Sequence, residues 1–117
     1  MIEDNTYTLY YDLESKPCNY AKYSKILSSK DRFIAVDYID KYKISTVWLG
    51  QPHSGEGLKN IFETMIFPLN DKNEIDYYYD TLDGYDWHTE RYDTKEEALK
   101  GHANLIKEVR QTKKTVN

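Results

Sequence analysis

His53, Glu63, Arg91 and His102 are the residues of this chain whose types and settings allow chemistry. His53 sits in a polar, glycine-bearing loop, Gln51 to Gly57, between two dense apolar runs. Glu63 lies inside the second run, IFETMIF, and read with period two it shares a face with Ile61, Met65 and Phe67. A carboxylate there must reach water, find a cation or keep its proton. It is therefore an anchored acid or base, a ligand hook, or half of an ion pair with Arg91 or Lys43. His102 falls in the middle of an apolar helical stripe, where each ring nitrogen needs a partner. A structural histidine would bond a backbone carbonyl or a tyrosine hydroxyl. A site would bring it to His53 or Glu63 across a sheet.

Several familiar constellations are missing. The Gly55–Gly57 loop has no Lys-Ser/Thr after its second glycine, so it is a weak phosphate signature. No two of His53, His88 and His102 stand at i, i+4, and no metal or other cofactor is expected. Asp80-Thr81-Leu82-Asp83-Gly84 lacks the spacing and terminal Glu of a calcium loop and reads as an acidic turn. His53 and Ser54 beside an acid carry no triad information by spacing alone. Cys18 is the single cysteine, which excludes an internal disulfide and reads as inert.

The elements that would hold these residues follow from periodicity. Tyr7–Asp12 reads as a strand, and Pro17 to about Ser28 as a short helix. Phe33–Ile39 and Lys43–Leu49 read as a hairpin turning at Asp40-Lys41, without the glycine such a turn favours. Ile61–Phe67 is a strand stopped by Pro68, and Glu74–Tyr79 an acidic edge strand. Thr94 with Glu97 forms a capping box. Ala98, Leu99, His102, Leu105, Ile106 and Val109 then make one stripe, with Gly101 at its border permitting close approach. The fold class is α+β: an antiparallel meander of four to five strands packed by one long C-terminal helix, with a short N-terminal helix.

With 117 residues the chain reads as one domain, 1–117. A mean hydropathy of -0.83 and the lack of any long apolar run argue against a membrane protein. The sequence start lacks a basic, then apolar, leader, so a cytoplasmic location is expected. Charge is uneven: Asp71 to Asp93 holds eight acids against Lys72 and Arg91, interleaved with tyrosines and Trp87. Such a face disfavours direct nucleic-acid binding and attracts a basic protein surface.

The motifs Ser45-Thr46-Val47-Trp48-Leu49-Gly50, His53, Ile61-Phe62-Glu63-Thr64-Met65-Ile66-Phe67, Glu90-Arg91-Tyr92 and Gly101-His102 resemble a family of small phage and prophage proteins. The likeness runs from about Ile34 to Val109. Pro52 stands where the family pattern has Asp, so no Asp–His pair forms there. The resemblance implies a phage origin, marks His53, Glu63, Arg91 and His102 as motif positions, and carries no activity with it.

The leading expectation is a small phage-encoded accessory protein that binds rather than catalyses. It would sequester a nucleotide-like ligand or inhibit a bacterial defence protein. His53, Glu63, Arg91 and His102 would line the ligand site, and Trp48 or Trp87 would stack a ring. A homodimer or higher oligomer through tyrosine-rich edges is expected. A second reading is an acidic module that blocks a basic host surface through Tyr78, Asp80, Asp83 and Asp86. A third is a metal-dependent hydrolase built on His53, Glu63 and His102.

Overall fold

The computed structural model describes residues 10–52, 59–76 and 89–115, with side chains to 111. Among these, helix α1 (Tyr20–Leu27) precedes strands β1 (Phe33–Ile39), β2 (Tyr42–Trp48), β3 (Phe62–Pro68) and β4 (Thr89–Tyr92), and helix α2 (Lys95–Thr115) closes the chain. The strands form one antiparallel sheet in the order β1-β2-β3-β4. This is the α+β meander that the periodicity predicts, with α2 touching all four strands.

Local chemistry sets the boundaries. The β1–β2 connection is the two-residue turn Asp40-Lys41, and Asp40 itself takes φ 54°, the left-handed conformation that glycine would otherwise supply. A bulge between Phe33 and Ala35 lets Ile34 reach the core around Trp48. At the start of α2, Thr94 Oγ1 accepts the Glu97 N–H at 3.1 Å, and Glu97 Oε1 accepts the Asp93 N–H at 3.3 Å. That is a capping box whose return arm lands one residue early.

Three expectations need correction. Residues 10–12 form no strand: Tyr11 makes an isolated bridge to Pro17, and Tyr10 packs on Tyr20 and Tyr23. The first helix begins at Tyr20, because the Asn19 side chain caps it by accepting the Lys22 N–H at 2.9 Å. Residues 74–76 are not in a strand, and only Ile75 bridges to Leu69. The fourth strand is Thr89–Tyr92, which apolar alternation does not signal.

The N-terminal turn is pinned by buried Asp12. Its Oδ1 accepts the Glu14 and Lys16 N–H groups at 2.9 and 3.0 Å, and its Oδ2 accepts Lys22 Nζ at 3.0 Å. Burial pushes the carboxyl's pKa up, but the bonds from Lys16, Lys22 and Glu14 outweigh it and hold the group below its ordinary value. Burial, with Asp12 close by, raises the Cys18 thiol, which fits an inert cysteine.

The core lies between the sheet and α2 and is divided. One apolar cluster joins Ile44, Ile66, Leu105 and Val109, and the other joins Trp48, Ile61, Phe62 and Ala98. Between them, Thr46, Thr64 and His102 are all buried. Each contributing element changes from apolar to polar and back at the same level: Ile44-Thr46-Trp48 on β2, Ile66-Thr64-Phe62 on β3, and Leu105-His102-Ala98 on α2. A polar seam bisects the core.

Candidate functional site

Every element that borders the seam contributes to it, β4 with two side chains. Asp37 of β1 stands opposite Ile44, and its Oδ2 lies 2.7 Å from His102 Nε2. The other ring nitrogen, Nδ1, is 2.7 Å from Thr46 Oγ1, which in turn meets Thr64 Oγ1 at 2.5 Å. Thr64 also bonds the Tyr92 hydroxyl, and that hydroxyl donates to Glu90 Oε1 at 2.8 Å. The row runs from Asp37, whose side chain is 49 % exposed, through a sealed centre to Glu90, which borders an open groove between β4 and α2.

Proton accounting fixes the direction of this row. Tyr92 gives its only hydrogen to Glu90, so it must accept from Thr64. Thr64 must then accept from Thr46, and Thr46 from the N–H at His102 Nδ1. Asp37 Oδ2 faces the other ring nitrogen, Nε2, at 2.7 Å. Hydroxyls carry one hydrogen each, so the row needs a donor at its His102 end.

Asp37, His102 and Thr46 have the spacing of a carboxylate–histidine–hydroxyl triad. Thr46 and Thr64 are 0 % exposed, however, so no substrate reaches the hydroxyl. In place of attack chemistry, the row satisfies buried polar groups.

Tyr92 is set by two constraints. Its ring lies against α2 where Gly101 has no Cβ, and a Cβ there would come within 2.0 Å of the hydroxyl. Burial, followed by the bond to Glu90, pushes the phenol pKa up to about 12 from 10.0. A raised folded-state pKa stabilises the fold fully below the unfolded value and loses that contribution as pH rises through the folded one. Wild-type protein should therefore lose about 1–2 kcal/mol, allowing for solvent screening, more than Tyr92→Phe does between pH 10 and pH 12. Urea midpoints of both proteins across that range check it, and parallel curves would count against it.

Of the residues expected to line a site, the described ones lie in three places: Glu63 with Arg91, His102, and Trp48. Arg91 Nε donates to Glu63 Oε2 at 3.0 Å, a cross-strand pair in register on the face of the sheet away from α2. His102 lies on the opposite face, bonded to Asp37 and Thr46, so it does not meet Glu63. Trp48 is 1 % exposed, with its ring centroid 5.4 Å from that of Tyr23 and its indole N–H donating to the Tyr11 carbonyl at 3.2 Å. That tryptophan is core, with no ring face open to a ligand. His53, Trp87, Tyr78, Asp80, Asp83 and Asp86 lie outside the described residues. Asp37, Thr46 and Thr64 do not stand out from sequence as site residues. Their signal is polarity at the buried phase of alternating runs. Among the described residues no group of three or more metal-ligating side chains assembles, and no helix is long and apolar enough to cross a membrane.

The face of the sheet away from α2 carries the exposed chemistry. Register places three rows there: Tyr38, Lys43 and Phe67; then Val36, Ser45, Met65 and Thr89; then Phe33, Val47, Glu63 and Arg91. Phe33, Val36 and Tyr38 are 51 %, 43 % and 62 % exposed. Arg32 stacks on the Phe33 ring at 4.2 Å, and Lys43 Nζ lies 6.0 Å from the Phe67 centroid. Compared with protein-family models, with curated proteins and with solved structures, the chain matches none.

Proposed function

We propose that this chain is a small accessory protein, of the phage-borne kind its motifs resemble, that works by binding and inhibits a bacterial defence protein. The observation that carries this reading is the open sheet face. Aromatic and aliphatic side chains there stay exposed beside Arg32, Lys43 and Arg91, a composition typical of interface cores rather than of idle surface. Two further placements favour binding over hydrolysis. Glu63 is engaged by Arg91, and His102 lies behind the sheet from it. Trp48 has no face free to stack a nucleotide ring, which favours inhibition of a protein over sequestration.

Phage plating on cells carrying defined defence systems tests the reading. Expressing the chain should restore plating by about tenfold or more against at least one system, and Phe33→Ser with Tyr38→Ser should abolish the gain with the melting temperature unchanged. Protection that survives those changes would count against the reading, as would purified protein that retains a stoichiometric nucleotide in native mass spectrometry.

A further inference from the structure

We infer that the open face of the sheet is a trough for an amphipathic helix of a partner protein, one whose apolar stripe is flanked by acidic side chains. The inference deepens the binding reading above and rests on it.

Shape comes from the register. The middle row, Val36, Ser45, Met65 and Thr89, is made of small or slender side chains. The rows on either side carry Tyr38, Phe67 and Phe33, with Arg32 above the Phe33 ring. These outer rows are four residues apart along β2 and β3, which at about 3.3 Å per residue is roughly 13 Å. An α-helix with its side chains is about 10–12 Å across. The flanking rings and cations thus form walls at the spacing of one helix lying across the strands. The opposite face already holds such an element, since α2 touches all four strands.

Charge selects the partner. Among the described residues, Arg32, Lys43 and Arg91 stand on this face with one carboxylate, Glu63, which Arg91 engages. The chain as a whole is net -4, so the face runs against the molecule's overall sign. Charges within a Debye length of about 8–10 Å dominate the field that a docking helix meets. A second copy stacked on the face would oppose cation to cation. Among the described residues of this face a nucleic-acid strand would meet three cations, one of them paired with Glu63, on a protein of net negative charge, with Val36 and Met65 in the row between the rings. A helix with acidic flanks satisfies both the apolar floor and the basic walls.

The test uses two fluorescent peptides of roughly 20 residues, both with leucines at i, i+3, i+4 and i+7. One carries glutamate and glutamine on its remaining positions, and the other carries lysine and glutamine. The glutamate peptide should bind about tenfold or more tightly than its lysine counterpart, and should weaken several-fold between low and 0.5 M salt. Arg32→Glu with Lys43→Glu should reverse the preference, and amide shifts should concentrate on β1–β3. Equal binding of both peptides, or of neither, overturns the inference. So does tighter binding of single-stranded oligo-dT. A dimer in sedimentation that Phe33→Ser with Tyr38→Ser dissolves would assign the face to a second copy instead. If the charge-reversed protein still protects phage while the Phe33/Tyr38 variant does not, the acidic-helix inference fails and the binding reading stands.

Discussion

Replacing His102 with alanine should lower stability by about 3 kcal/mol, because it leaves Thr46 without its donor inside a sealed core and opens a cavity there. For a domain of this size that is a fall in melting temperature of roughly 10–15 °C. The pattern across variants is more telling than the size. Asp37→Asn should be nearly silent, since its amide can donate to a neutral imidazole at Nε2 and the row keeps its direction. Thr46→Val alone should cost about 1–3 kcal/mol by orphaning both Nδ1 and Thr64. His102→Leu combined with Thr46→Val and Thr64→Val should recover most of the loss, because no buried donor is then stranded. Thermal melts of the series decide it, and an Asp37→Asn protein as unstable as His102→Ala would refute the proton accounting.

Gly101→Ala should also be costly, although alanine is the better helix former by about 1 kcal/mol. The new Cβ would lie 2.0 Å from the Tyr92 hydroxyl and 2.4 and 2.6 Å from ring carbons, so the whole ring must move. Moving it gives up the bonds to Thr64 and Glu90, and a net loss of about 2–3 kcal/mol follows. A double-mutant cycle isolates the cause. On a Tyr92→Ala background the same Gly101→Ala change should be neutral or slightly stabilising. Equal costs on both backgrounds would show that the close approach to Tyr92 is not what the glycine permits.

Much of the frame was readable from residue order. The β1–β2 hairpin, β3 and the α2 stripe are local patterns, set by alternation or by 3.6 periodicity with a cap. β4 is not local: TERY has four residues and only one large apolar side chain, and it is a strand because β3 lies beside it. The tyrosines at 10 and 11 carry strand propensity, yet Tyr10 packs its ring on Tyr20 and Tyr23, and Tyr11 bonds the Gly50 carbonyl through its N–H. Packing overrode propensity there. The Glu63–Arg91 pair was within reach of period-two reading. His102 could be recognised as a buried imidazole in need of partners, but its partners lie 65 and 56 residues away. Only the assembled sheet selects Asp37 and Thr46 from the other polar residues.

The divided core also bears on how the strands choose their alignment. Side chains alternate, so a slip of one residue would turn an apolar face to water and is heavily disfavoured. A slip of two keeps every side chain on its own face and costs little among interchangeable aliphatic residues. Here it would set Thr46 beside Ile66 or Phe62 instead of Thr64, and would carry the hydroxyls away from His102. The polar row therefore acts as a registration mark, penalising the one family of misalignments that apolar packing tolerates. An all-apolar core of equal volume could match the natural protein's stability and still lack its single alignment.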